Sequence, residues 1–276
     1  LGLNAAQFAS AFLVAPATMS QRLVRAKSKI RDAGIGFELP EASDLPTRLE
    51  AVLEAIYAAY SNGWDSITGA DPRQKGLTEE AIWLARLCVQ LMPDAPEARG
   101  LLALMLHCEA RWDARRAADG AYVPLSHQDV RLWSKSLIHE AENELTQAAT
   151  FKQSGRFQLE AAIQSAHAQR AFSGTVDWNA LVLLYEGLIQ LAPTLGAFVG
   201  RAAAIAEANG AEPGWALLES LPTDAVDNYQ PYWALKAHLL MQLGRKTEAK
   251  TAYTRAIGLV EDPAIRQFLL YQSLGF

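Results

Sequence analysis

Residues 18–29 bring together side chains of the kinds that read nucleic acid. Thr18, Gln21, Arg22, Arg25 and Lys29 recur at i, i+3, i+4, i+7 and i+11, so a helix carries them on one face. Arg and Gln near the start of a helix can reach base edges in a major groove. Lys27, Lys29 and Arg31, further along, suit phosphate oxygens that hold such a helix in register. The same spacing also describes an amphipathic helix whose basic face is simply solvated.

The elements that must position these groups form a small head. Residues 3–12 are expected to form a short helix and residues 13–16 a turn. A second helix runs from Ala17 to about Arg31, with Pro16 at its first position. Met19, Leu23, Ala26 and Ile30 form its apolar face, expected to be core. Residues 1–37 hold five cations against one acid, a net +4. The remaining chain holds 20 cations against 29 acids, a net -9, and together these give the overall -5. A basic head on an acidic body fits a head that touches phosphate and a body that does not. The proline-containing stretch from Gly34 to Pro46 reads as the joint between them, although Ile35, Phe37 and Leu39 could equally dock on the body.

The body reads as helix throughout, so the chain is expected to be all-α. Leu49, Val52, Leu53, Ile56, Tyr57 and Tyr60 form one apolar stripe, and Leu101 to Leu106 are apolar on all sides, as in a helix buried among others. The one place for a hairpin is Asp119-Gly120, with Tyr122 and Val123 pairing briefly. Gly210 and Gly244 are 34 residues apart, as are Ala203 and Ala237, and Val199 and Trp233; Tyr185 and Tyr253 are twice that apart. A helix–turn–helix period of this length is the tetratricopeptide (TPR) signature, best matched by Trp233, Ala237, Gly244, Ala249, Tyr253, Ala256 and Pro263. Glu219 stands where the middle copy should have its tyrosine, and Pro222 cuts that helix short. Upstream of residue 156 the period is not found. The resulting division is a head at 1–36, a linker at 37–46 and a helical body at 47–276, with repeats clearest over 177–276.

Chemistry of other kinds finds little footing. His139-Glu140-Ala141-Glu142-Asn143 lacks the second histidine of a zinc-binding H-E-x-x-H. Cys88, His107 and Cys108 have no ligand spacing and read as core, and two cysteines fit a reducing cytoplasm. Gly34-Ile35-Gly36 follows a helix and lacks a third glycine, and no P-loop or G-x-S-x-G is present. No enzyme activity, metal or cofactor is expected, and no apolar run is long enough for a membrane span. In the acidic body, Arg111, Arg115, Arg116 and Trp133 flank the Asp119-Gly120 turn. They are a candidate contact for a peptide, an anion or the head itself, the alternative being ordinary arginines paired with Glu109 and Asp113.

The run Phe12 to Met19 followed by Gln21 to Lys27 resembles region 4 of sigma-70-class sigma factors. Leu101 to His107, Gln128-Asp129 with Arg131 and Trp133, Tyr185, Gly200 to Ala202, Leu243 to Arg245 and Glu248-Ala249 extend that likeness along the chain. They resemble extracytoplasmic-function sigma factors with a C-terminal TPR-like extension. The resemblance implies a bacterial transcription initiation factor that binds core RNA polymerase. Thr18, Gln21, Arg22 and Arg25 would read a promoter -35 element, with Lys27 and Lys29 on the DNA backbone. It further implies an extension that stands in for a separate anti-sigma factor and contacts a regulatory protein or ligand. Ala15 stands where relatives often have a capping serine. The sequence opens on Leu1, which suggests a fragment. Region 2, which melts promoters, has no counterpart in these residues, and without it the chain is not expected to initiate transcription alone. The competing expectation is a TPR-type interaction scaffold whose basic N-terminus is a structural cap.

Overall fold

The computed structural model describes residues 14–34, 40–64 and 72–275, with positions 5, 9 and 36; of residues 42, 62–64 and 72–75 it describes the backbone alone. The helix expected over residues 3–12 and the docking of Ile35, Phe37 and Leu39 lie outside the described residues.

Fourteen α-helices follow one another among the described residues. They are α1 (Pro16–Asp32), α2 (Leu45–Trp64), α3 (Pro72–Leu91), α4 (Pro96–Glu109), α5 (Lys135–Thr150), α6 (Arg156–Ala168) and the single turn α7 (Arg170–Ser173). Then come α8 (Trp178–Leu191), α9 (Leu195–Asn209), α10 (Ala211–Glu219), the single turn α11 (Thr223–Val226), α12 (Gln230–Gln242), α13 (Lys246–Leu259) and α14 (Pro263–Leu274). No strand occurs among the described residues. The expected hairpin is one antiparallel bridge between Arg116 and Tyr122, with Gly120 at φ +85° closing its turn. The fold is all-α.

Helix α4 is the axis of the N-terminal half. Every residue from Leu101 to Leu106 is buried, because α2, α3, α5 and α6 all pack against it. Two glycines let α6 approach closely: a Cβ on Gly100 would lie 2.6 Å from the Gln158 backbone nitrogen, and one on Gly155 would collide with the Glu97 carboxylate. That carboxylate caps α6, Oε2 accepting from the Phe157 N–H at 2.9 Å and Oε1 from the Gln158 N–H at 3.1 Å. The apolar stripe of α2 buries Leu53, Ile56 and Tyr60 in this core, while Val52 is turned to solvent. Helix α2 also runs through Asn62-Gly63, a dipeptide that ordinarily favours a turn.

From α8 onward each helix packs on those next to it in the chain: α8 on α9, α9 on α10 and α12, α12 on α13, and α13 on α14. Helices α9 and α12 both end at a glycine with positive φ, Gly210 at +97° and Gly244 at +73°, the conformation that glycine adopts at least cost. Helix α10 stops at Glu219, just before Pro222. Their shared core contains Trp215, Leu218, Leu239, Leu240 and Tyr253. Between the two halves, α6, α8 and α9 share a smaller cluster around Ile163, Leu181 and Leu188. The segment from Ala110 to Ser134 folds back to the far end of the chain. There Arg116 ion-pairs with Asp262 at the start of α14, and Tyr122 meets Phe268 edge-to-face at 5.5 Å.

Candidate nucleic-acid interface

Helix α1 starts at Pro16, as its fixed φ favours, and Ala15 supplies no side-chain cap. Lys29 and Arg31 fall in the last turn, where cations suit the helix dipole. Thr18, Gln21, Arg22, Arg25 and Lys29 are all exposed on one side. Lys27 is exposed too, but two residues on from Arg25 it faces the opposite side of the helix. The expected apolar face is only partly buried: Met19 is buried and Leu23 half-buried, whereas Ala26 is exposed and Ile30 is 51% exposed. The reason is that no described element of the body packs broadly on α1, so among the described residues little covers its second half.

The cations of α1 differ from those of the body in their partners. Among the described residues, Arg22, Arg25, Lys27 and Lys29 have no carboxylate within ion-pairing distance. In the body Arg86, Arg99, Arg116, Arg156, Arg201, Lys236, Arg245 and Arg255 all do. The acid on α1, Asp32, accepts a hydrogen bond from Ser28 at 3.0 Å. Among the described residues, α1 thus carries these cations without ion-pair partners along an exposed face, an arrangement that suits phosphate.

The arginine group at the hairpin is arranged otherwise. Arg111 donates to Gln164 at 2.6 Å, and Arg115 lies over the Trp112 ring at 5.7 Å. Arg116 is committed to Asp262 and lies over Tyr122. Neither Arg111 nor Arg116 takes Glu109 or Asp113 as its ion-pair partner, because the chain returns them to α6 and α14 instead. Trp133 is only 3% exposed, so it is no surface contact for a partner protein; the Ala110, Ala114, Ile138 and Ala168 side chains close around it. On α5, the H-E-x-x-N residues serve packing: Glu140 takes a bidentate bond from Arg86 at 2.8 and 3.0 Å, and His139 bonds Asn143 at 3.1 Å. No group of three metal-ligating side chains occurs among the described residues. Cys88 and Cys108 are free thiols half-buried against the N-terminal core.

Spacing could not reveal a cavity of about 450 Å³ between the two halves of the body, walled by Tyr57, Tyr60, Tyr185 and Tyr229 with Arg156 and Glu160. Arg156 bridges Glu54 at 2.6 Å and Glu160 at 2.8 Å, and burial pushes the Tyr185 hydroxyl up to about 12. Tyr185 lies directly on Gly200, where a Cβ would come within 2.5 Å of the ring. No described helix is long and apolar enough to cross a membrane.

These features define an all-helical protein with an exposed basic helix ahead of a body of helices packed on one another. Residues 48–149 match the model of a protein family of unknown function, DUF6596. The chain is 39% identical over 271 residues to an uncharacterized protein of Rhizobium meliloti (strain 1021), an alignment covering 98% of this chain and 64% of that protein. The chain therefore spans under two thirds of the length of that relative. No solved structure matches it.

Proposed function

We propose that the chain is the promoter-reading and regulatory part of a bacterial sigma factor. In this reading α1 is the recognition helix of a region 4 helix-turn-helix. Thr18, Gln21, Arg22 and Arg25 read the -35 element, Lys29 holds the DNA backbone, Lys27 on the opposite side is left out of the contact, and core RNA polymerase is the partner. The body is a TPR-like regulatory extension of the same protein. The observation that carries the proposal is the basic face of α1, without ion-pair partners among the described residues, beside a body in which cations such as Arg86 and Arg156 are paired. The equivalent helix ends at Gly210 and Gly244, 34 residues apart, support the TPR-like reading of the last hundred residues.

Fluorescence anisotropy of the full chain with a labelled 30-base-pair duplex, over a range of salt, tests it. Each phosphate contact contributes a slope of about -0.9 in log affinity against log salt, so Lys29→Ala should flatten the slope by about 1, while Arg22→Ala with Arg25→Ala should weaken binding at low salt. Thermal unfolding should be unchanged, since all three side chains are exposed. An affinity that ignores the double substitution and a slope that ignores Lys29→Ala would sink the DNA reading. A chain with no salt-dependent duplex binding would favour the interaction scaffold.

A further inference from the structure

Trp133, excluded above as a surface contact, takes part in a second cavity. It has a volume of about 410 Å³ and opens between the loop before α5, the end of α6 and helices α8 and α9. Trp133, His167, Arg170 and Trp178 line it, together with the half-buried Ala203 and the exposed Glu207. The Trp133 indole is 97% removed from solvent, yet its Nε1–H has no hydrogen-bond partner among the described residues. A buried indole N–H ordinarily finds an acceptor, and leaving one unmade is costly. A residue that lines this cavity thus carries a buried donor in need of an acceptor.

Arg170 completes the pattern. Its guanidinium stacks over the Trp133 ring at 5.1 Å and donates to the backbone carbonyls of Ser126 at 2.7 Å and Gln128 at 2.9 Å, with further N–H groups left over. No carboxylate among the described residues pairs with it. Burial and the nearby Arg111 cation both disfavour its charged form. An anion in the cavity would relieve both. His167, held near 4 chiefly by burial, is neutral at pH 7 and sits edge-to-face with Trp178 at 5.7 Å, so the opposite wall is aromatic and uncharged. Glu207, the acid at the cavity, is exposed at the mouth and leaves the interior cationic.

We propose that this cavity binds a small planar aromatic carboxylate, its acid group taking the Trp133 Nε1–H and the Arg170 guanidinium while its ring lies against Trp178. The volume falls within the range of roughly 300–1,000 Å³ typical of small-molecule sites. The site stands whether or not α1 reads DNA, and its test involves no nucleic acid.

Isothermal titration of the full chain with three probes decides the matter: indole-3-acetate, its neutral twin tryptophol, and hexanoate as an anion without a ring. Indole-3-acetate should bind at least about tenfold tighter than either of the others, the loss expected when a hydrogen bond to a charged group is removed. Trp133→Phe keeps an aromatic side chain, although a smaller one, but deletes the donor and should weaken indole-3-acetate about tenfold, and Arg170→Gln should erase the preference for the anion. Because Arg170 also holds two backbone carbonyls, Glu207→Lys, at the exposed mouth, provides a variant that leaves the packing alone; it should tighten indole-3-acetate by about two- to threefold and leave tryptophol unchanged. No measurable binding of indole-3-acetate at millimolar concentration, equal affinity for all three probes, or indifference to both Trp133→Phe and Glu207→Lys would each overturn the proposal.

Discussion

His107 is a buried base with little to hold a proton. It is 1% exposed on α4, and burial together with Arg111 one turn on lowers it to about 4; Glu142 Oε1 at 3.5 Å from Nε2 does not offset them. The unfolded chain, with an ordinary histidine near 6.5, takes up the proton first, so stability rises with pH in this window. It is complete above about pH 6.5 and falls as the pH drops toward 4. The loss from this one residue is on the order of 3 kcal/mol. Urea midpoints measured between pH 7 and 4 should fall steeply, and His107→Gln should make the fall shallower. At the same scale, Gly100 carries the closest approach in the N-terminal core. Gly100→Ala would push a methyl into the Gln158 backbone and should cost about 1–3 kcal/mol, read as a lower urea midpoint. Neither effect is visible in residue type, because glycine and histidine within a helix advertise nothing until the neighbouring helix is in place.

Among the elements, the start of α14 is the most heavily tied. Asp262 accepts the Ala264 and Ile265 N–H groups at 2.7 and 3.3 Å and takes the Arg116 guanidinium. Burial pushes its carboxyl up, but Arg116 and the two amides outweigh that and hold it below the usual range. Its contribution is therefore present above the ordinary carboxylate pKa and lost as the pH falls through the depressed one. Asp262→Ala removes both a cap and the partner of a part-buried arginine, and should cost about 2 kcal/mol or more. Thermal unfolding at pH 7 measures it. The helix ends at Gly210 and Gly244 are lighter devices. At φ +73°, Gly244→Ala should cost about 1 kcal/mol by the same measurement.

At the scale of the whole molecule, most contacts run between helices close in sequence, so each hairpin leans chiefly on its neighbours. Stability in such an array is distributed and can be lost locally. Leu240 is fully buried in the C-terminal core, and Leu240→Ala should remove about 2–5 kcal/mol there. Hydrogen exchange should then quicken through α12, α13 and α14 while the amides of α4 keep their protection; uniform loss of protection would show a single cooperative unit instead. The Arg116–Asp262 pair and the Tyr122–Phe268 contact are among the longest-range exceptions, clasping the mid-chain hairpin to the last helix.

The sequence by itself determined whatever depends on neighbours along the chain. Leu101 to Leu106 could only be a helix apolar on every side, and Gly210 and Gly244 marked equivalent helix ends 34 residues apart. Pro16 fixed the start of α1, and the i, i+3, i+4, i+7 spacing from Thr18 to Arg25 set four polar groups on one face. Tertiary structure decided everything that depends on which helices meet. It buried Trp133, which the sequence offered as a contact, exposed Ile30, which the sequence offered as core, and carried Arg116 across to Asp262, 146 residues away. It also gathered Trp133, His167, Arg170 and Trp178 around one cavity from three separate stretches of chain. The physical reason is one of range: helical periodicity and turn chemistry act over a few residues, whereas burial and charge pairing are settled by partners that only packing supplies.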